Sequence, residues 1–387
     1  LLARLSWAGD PWVDLAINQA DVVGTLSCAS ASCHGSQQPR PATGTISQQE
    51  YVHWLGGSPR FQGGRRHYDQ RAQLEAPSGD PHALAGWRMM QSRFQEVLRR
   101  ASQGADGAVD AAMAGRCARC HDPMGMRNAS DVAASTGSPV HSTEYLVLST
   151  QYSASGSKYS VLRTPERGIG CESCHGGARR WLSLHYEAGV TREQLAELGM
   201  IDTKDLLVRA RVCAACHVGS SENDMNHDML AAGHPPLRFE LASYDALINN
   251  KHWDDRPQRL AAPDYEVQLW AAGRVAAADA ALALLASRAI QGGDEKSSGA
   301  SWPEFSEVNC FACHQALRPP PVRAGVVGEA DLNPSSLGWR NWNVAFIDSL
   351  ISPSKFDGEI KLVQQAFERS LAPDAAHVAR AALAAQI

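Results

Sequence analysis

The sequence predicts a mainly α-helical fold with long irregular loops and little β-structure. Segments with helical periodicity recur along the 387 residues and are separated by clusters of Gly, Pro and Ser, whereas runs with strand-like alternation are sparse. A third observation is that all ten cysteines fall into five pairs, each of which ends in Cys-His. This grouping indicates cofactor attachment, with the cofactors forming much of the core.

Individual helices can be placed from their start signals and their periodicity. Thr191 has the character of an N-cap, with an acidic residue in the first turn, and predicts a short helix to Leu198. The clearest helix is the alanine-rich and leucine-rich segment from about Asp264 to Ile290. Further helices are predicted at 202–212, which leads directly into CAACH, at 358–371 and at 374–386.

Four of the five cysteine pairs share one spacing. They are CARCH, CESCH, CAACH and CFACH, at residues 117–121, 171–175, 213–217 and 310–314. A random chain of this composition would contain roughly 0.01 copies of C-x-x-C-H, so composition alone does not explain the four. The remaining pair, CASASCH at residues 28–34, has four residues between its cysteines instead of two.

The C-x-x-C-H spacing is that of covalent c-type haem attachment. Two thiols one helical turn apart add to the two vinyl groups of a haem, and the adjacent imidazole ligates the iron. A zinc ribbon needs two C-x-x-C pairs about 15 to 20 residues apart, and a thioredoxin-like site uses one pair in a βαβ setting. We therefore expect four haems, attached through Cys117, Cys120, Cys171, Cys174, Cys213, Cys216, Cys310 and Cys313 and ligated by His121, His175, His217 and His314.

The longer first motif has two interpretations. Cys28 and Cys33 can attach a fifth haem with His34 as its ligand if the four intervening residues bulge outward. Alternatively, the two cysteines form a small disulfide loop, which would add little stability because it is so short. We favour the haem, since the disulfide would leave this as the one cysteine pair without a cofactor. The fold expected from five such sites is a multihaem cytochrome c with a haem-packed core.

Composition and charge indicate the cellular compartment and the class of binding partner that we expect. Haem is attached to c-type cytochromes outside the cytoplasm, so we expect a periplasmic or extracellular protein whose signal peptide has been removed or is not included in this sequence. The most apolar segment, VAAADAALALLASRAI, contains Asp279 and Arg288, and we expect no transmembrane span. The net charge of −5 disfavours nucleic acid and suits a basic redox partner.

Several segments resemble one known family. The runs VVGTLSCASASCHG, DPHALAGWRMMQSRF, GIGCESCHGGARRWLSLH, MNHDMLAAGHPPLRFELASY and WPEFSEVNCFACHQAL are similar to multihaem cytochromes of the cytochrome c-554 type, the tetrahaem electron acceptor of hydroxylamine oxidoreductase. The resemblance covers about Val22 to Leu317. The chain differs from tetrahaem members by its fifth site and by an insertion around residues 56–80.

The resemblance implies which of the nine histidines outside the motifs are distal iron ligands. These are His82, His185, His227, His234 and His252, with His67 as the alternative to His82. Met124 and Met126, just after CARCH, offer an alternative thioether ligand or pack against the ring edge. The histidines that we expect not to ligate are His53, His141 and His377.

The function expected from these residues is electron transfer along closely packed, mostly bis-histidine haems, because an iron with two imidazoles has no open position. One alternative is an oxidoreductase in which one open-faced haem acts on a small nitrogen or sulfur compound. Another is a protomer of a conductive haem filament or homo-oligomer. The expected organisation is an N-terminal extension at 1–21, a haem-binding core at 22–320 and a helical extension at 321–387.

Overall fold

The computed structural model describes residues 19–30, 32–36, 50–55, 80–89, 91–102, 111–123, 168–248, 252–253, 255–294, 301–310, 314, 338–340, 342–350 and 353–386. Almost all regular structure in these ranges is helical. The β-structure among them is one isolated antiparallel bridge, between Val308 and Trp339. The prediction of a mainly α fold with little β-structure is confirmed.

Short helices and one long helix make up the described chain. They are α1 (Glu50–Leu55), α2 (Ala85–Arg88), α3 (Ser92–Ala101), α4 (Ala111–His121), α5 (Glu172–His175), α6 (Arg192–Glu197), α7 (Leu206–His217), α8 (His227–Ala232), α9 (Leu241–Leu247), α10 (Arg256–Ala261), α11 (Tyr265–Gly293), α12 (Pro353–Arg369) and α13 (Ala375–Ala384). Single turns of 3-10 helix include Gln19–Asp21, Thr25–Cys28, Pro81–Leu84, Ala178–Arg180, Phe305–Glu307 and Ile347–Ser349.

The capping signals identified in the sequence operate as expected. The Thr191 hydroxyl accepts from the Gln194 N–H at 3.3 Å, and the Gln194 side chain accepts from the Thr191 N–H at 2.9 Å, which forms a capping box at the start of α6. Helix α7 begins at Leu206, later than predicted, because the Asp205 carboxylate accepts from the N–H groups of Leu207 and Val208. The long helix and the two C-terminal helices are confirmed with shifted ends.

The chain divides into two compact units. The first unit comprises residues 9–209 and 242–267, and the second comprises 1–8, 210–241 and 268–387. The limits of these units differ from the boundaries expected at residues 21 and 320. Those boundaries remain a prediction of where the haem-binding core lies. The first three cysteine motifs belong to the first unit, and the last two belong to the second.

The core of the second unit is built on α11. Leu269, Leu282 and Leu285 have no exposed surface. Helices α12 and α13 pack against each other, and each contains a fully buried valine, Val363 and Val378. Among the described residues, α11 is one helix of membrane-spanning length and composition, but 78% of its most apolar stretch is buried inside the protein. That degree of burial is typical of a core helix.

Two buried charged residues on α11, Asp279 and Arg288, lie in ion pairs. Arg288 lies between Asp224 and Glu307, and the two carboxylates raise the pKa of its guanidinium although burial opposes them. Asp279, which is 1% exposed, pairs with Arg211 at 3.5 Å. These pairs are the reason that α11 tolerates charges in an otherwise apolar sequence.

Candidate haem-binding sites

The first cysteine motif closes through a backbone turn. The His34 N–H donates to the Cys28 carbonyl at 3.3 Å, and the Cys33 N–H donates to the Ser30 carbonyl at 2.9 Å. The two extra residues are therefore taken up in a turn between the cysteines. Cys28 and Cys33 are both free thiols in this arrangement.

The third motif closes in the same way with the shorter spacer. Cys171 immediately precedes α5, and the His175 N–H donates to the Cys171 carbonyl at 3.0 Å. In both motifs, the backbone of the histidine is thus hydrogen-bonded to the carbonyl of the first cysteine. The first and third motifs present the same closed loop despite their different lengths.

Glycine follows both motifs because another backbone segment approaches there. A side chain at Gly35 would overlap the carbonyl oxygen of Ala29, and one at Gly176 would overlap the carbonyl oxygen of Gly199. Gly176 also has a φ of 80°, in the left-handed region that glycine adopts without strain. In these two motifs, packing therefore restricts the residue that follows the motif histidine.

A buried carboxylate joins the segments that carry the first and third motifs. Glu172, inside CESCH, has no exposed surface and accepts from the N–H groups of Val23 at 2.9 Å, Gly24 at 2.8 Å and Ala178 at 2.8 Å. Because Val23 and Gly24 lead into the first motif, this clamp brings the two motifs side by side.

The thiols of Cys28 and Cys171 are consequently in hydrogen-bonding contact. This contact lowers the pKa of Cys28 and raises that of Cys171 well above its usual value, since the Cys171 S–H acts as donor and burial adds to the effect at Cys171. The first attachment residues of two different motifs are therefore neighbours.

The second and fourth motifs end longer helices. Cys117, Cys120 and His121 occupy the last turns of α4, where positions three and four apart share a face. Cys213, Cys216 and His217 end α7 in the same manner. Burial raises the pKa of Cys117 to about 11. Both motifs thus place two thiols and an imidazole on one helix surface.

The fifth motif is only partly described. Cys310 and His314 are exposed, and Cys313 lies outside the described residues. The backbone ahead of the motif is held by hydrogen bonds from Asn309 to Gly338 at 3.0 Å and from Arg340 to Glu307 at 2.7 Å. The start of this motif is therefore anchored to a separate part of the second unit.

The predicted distal ligand His185 stacks beside the motif histidine His34. Their ring centres are 6.1 Å apart and their planes differ by 20°. A histidine nitrogen binds a metal at about 2 Å, and it lies about 1.1 Å from the centre of a ring with bonds of about 1.33 Å. Two imidazoles on opposite sides of one ion therefore have centres about 6.3 Å apart. The observed distance between the centres of this stacked pair of rings is close to that value.

Both rings are hydrogen-bonded through Nδ1. Nδ1 of His34 donates to Glu50 at 3.0 Å, and Nδ1 of His185 donates to the Leu182 carbonyl at 2.7 Å. Because Nδ1 carries the proton in each ring, Nε2 is left with the lone pair that a metal needs. The Glu50 hydrogen bond raises the pKa of His34, whereas burial lowers that of His185.

Buried polar atoms without a hydrogen-bond partner accompany these motifs. They are Thr25 Oγ1, three residues before Cys28, Ser173 Oγ inside CESCH, and Trp181 Nε1, whose ring packs edge-on against His185 at 5.5 Å. Buried polar groups are almost always satisfied in folded proteins. These three unsatisfied atoms lie in the segments of the first and third motifs. They fit a bound group that carries polar substituents, such as the propionates of haem.

Two further predicted ligands share one carboxylate. Asp80 is 1% exposed; its Oδ1 accepts from His82 Nδ1 at 2.7 Å, and its Oδ2 lies 3.4 Å from His252 Nδ1. Burial alone would raise the pKa of Asp80, but the two histidines outweigh it and hold this pKa well below its usual value. His82 and His252 therefore lie close together in the first unit.

His252 is positioned by a second network. Its ring packs edge-on against Trp253 at 4.8 Å, and the Trp253 indole donates to Asp255 at 3.0 Å. Asp255 in turn forms a two-pronged ion pair with Arg209 at 2.9 and 3.1 Å. Burial lowers the pKa of His175 to about 4, and the charges of His252 and His34 contribute to the shift. The third motif histidine thus lies within electrostatic reach of both.

In the second unit, His227 and His234 stand at opposite ends of α8. The helix is capped by the Asn226 side chain, and it ends at Gly233, which has a φ of 111°. Nδ1 of His234 donates to the Pro235 carbonyl at 2.8 Å, which again leaves Nε2 unprotonated.

The other histidines divide between packing contacts and undescribed segments. The motif histidine His217 packs against Phe239 with ring centres 5.3 Å apart, and His121 packs edge-on against Phe94. His53 lies on α1, and His377 lies in the first turn of α13. Four residues named as possible or rejected ligands lie outside the described residues: His67, His141, Met124 and Met126.

The ligand candidates are distributed evenly between the units. The first unit contains the motif histidines of three sites together with His82, His185 and His252, and the second contains those of two sites together with His227 and His234. Each unit thus has one candidate distal histidine for every motif histidine. No group of three or more His, Cys, Asp or Glu side chains converges on a metal position among the described residues. Haem iron requires only one or two protein ligands.

The sequence interpretation missed Asp80, Glu50 and Glu172. Asp80 had a signal, since it stands two residues before a predicted ligand in DPHA. Glu50 and Glu172 had none, because their roles depend on long-range contacts.

Searches among protein-family models, curated proteins and solved structures found no match to this chain.

Proposed function

We propose that this chain is a pentahaem c-type cytochrome that transfers electrons outside the cytoplasm. The observation that carries the proposal is the adjacency of the motif histidine His34 and the predicted distal ligand His185, whose ring centres are 6.1 Å apart. Haem supplies one-electron chemistry, and an iron with two protein imidazoles has no position for a substrate.

The residues of the chain have defined roles in this proposal. The motif cysteines hold each haem covalently, and the motif histidines ligate the irons. The Glu50 carboxylate and the Leu182 carbonyl would orient His34 and His185 through Nδ1. Glu172 sets the first and third sites side by side, which favours electron exchange between them because their attachment residues are in contact.

The haem content is tested by intact mass. Purified protein from a host that matures cytochromes c should exceed the mass of the polypeptide by five haems. An excess of four, with Cys28 and Cys33 joined by a disulfide, would contradict the fifth site. No excess at all would refute the proposal as a whole.

The ligation is tested with His185→Ala, because this substitution should open one coordination position. We expect one haem in five to become high-spin and to bind carbon monoxide when reduced, whereas the wild-type protein binds none. The matched control is His53→Ala, a histidine of the same unit that we expect not to ligate. Fast, stoichiometric carbon monoxide binding to the wild-type protein would instead indicate an open-faced haem and an enzymatic function.

A further inference from the structure

We infer that Asp80 is a shared positioning residue that sets the redox potentials of two irons together, those ligated by His82 and His252. The inference rests on the proposed function, since it needs both histidines to be iron ligands. It concerns a carboxylate that is not itself a ligand and that acts on the irons through two imidazoles.

The geometry supports one carboxylate acting on two rings. Each oxygen of Asp80 faces a different histidine: Oδ1 is 2.7 Å from His82 Nδ1, and Oδ2 is 3.4 Å from His252 Nδ1. Because a carboxylate accepts and does not donate, the His82 ring carries its proton on Nδ1 and keeps Nε2 for a metal. The His252 ring faces the other oxygen at ion-pair distance, so the charge of the carboxylate acts on it without a hydrogen bond. The shorter contact predicts the stronger effect at the iron bound by His82.

The surroundings keep this carboxylate in place. Asp80 is 1% exposed, and its Oδ1 also accepts from the backbone N–H of His82 at 3.0 Å, which caps the 3-10 helix Pro81–Leu84. Its own N–H donates to the Trp54 carbonyl at 3.2 Å. Hydrogen bonds therefore hold both the backbone N–H and the carboxylate of Asp80, and solvent does not screen the charge of the carboxylate.

The expected effect follows from the basicity of the ligands. A carboxylate that accepts from Nδ1–H makes the imidazole a better donor to iron and stabilises the ferric state. Replacing Asp80 by Asn removes the negative charge from both rings, but it keeps the cap, since Asn and Asp cap helices about equally well. Both potentials should therefore rise.

The test is a spectroscopic redox titration of the haem-loaded protein. In Asp80→Asn we expect two of the five haems to shift toward the reduced form by about tenfold in the oxidised-to-reduced ratio at fixed potential, which equals ~59 mV for one electron. These should be the same two haems that become high-spin in His82→Ala and His252→Ala. If the Asp80→Asn variant does not accumulate, Asp80→Ser is used in its place, because serine keeps a capping oxygen and lacks the charge.

The matched control is Asp245→Asn, a carboxylate of the same unit that is 5% exposed and pairs with Arg259 instead of a histidine. It should leave all five potentials unchanged. Unchanged potentials in the Asp80 variants, or a shift of one haem only, would overturn the shared role while five haems are still found by mass. A wild-type protein without five haems would refute the proposed function instead, so the two failures are distinguishable.

Discussion

Glu172 offers a test of what holds the first and third motifs together, because its carboxylate accepts hydrogen bonds from three backbone N–H groups. In Glu172→Ala, the N–H groups of Val23, Gly24 and Ala178 lose their acceptor. Each buried donor left unsatisfied costs about 1–3 kcal/mol. Two of these contacts are only partly buried and regain some hydration, so we expect a total loss of about 4 kcal/mol in the free energy of unfolding.

The assay is urea unfolding followed by tryptophan fluorescence, with limited proteolysis as a local probe. Glu172→Gln keeps one acceptor oxygen and should lose about half as much stability. New cleavage near residues 20–30 is expected in Glu172→Ala, since that segment loses two anchoring hydrogen bonds. The control is Glu197→Ala on the exposed face of α6. If Glu172→Ala unfolds within about 1 kcal/mol of the wild-type protein, the carboxylate is not the clamp that we describe.

Three further predictions concern other parts of the chain. His234→Ala should convert one haem to the high-spin state, whereas His377→Ala should leave the absorption and paramagnetic resonance spectra unchanged. In the haem-free chain at pH 8, an alkylating reagent should modify Cys28 faster than Cys117, because only the thiolate reacts and the pKa of Cys117 is raised to about 11. Mass spectrometry of the labelled peptides measures this order, and faster labelling of Cys117 would contradict the prediction. Leu282→Ala should reduce the free energy of unfolding by about 3 kcal/mol because Leu282 is fully buried, and a loss equal to that of an exposed leucine would exclude it from the core.

Local patterns carried most of what could be predicted about the fold. Thr191 identified the start of α6 because a capping box is written in four consecutive residues. The length of α11 was also predictable, since its apolar run is long and has few interruptions. The start of α7 was misplaced because Asp202 and Asp205 are both plausible caps, and their backbone geometry decides between them.

The candidate sites depended more on distant contacts. The motif cysteines and histidines are defined by spacing alone, so they were predictable. The pairing of His34 with His185 was not, because 150 residues of chain separate them and several other histidines had the same local character. Asp80 joins His82 to His252 in the same way, across a sequence distance that no local pattern spans.

The helices that end at His121 and His217 have an electrostatic consequence for the proposed electron path. The carboxyl end of a helix carries a partial negative charge, equivalent to about half an elementary charge. Helices α4 and α7 have 11 and 12 residues, so this charge would favour the ferric state of the irons at the second and fourth sites. The four-residue helix α5 provides little such field at the third site. In the proposed cytochrome, this difference would lower the potentials of the second and fourth irons relative to that of the third.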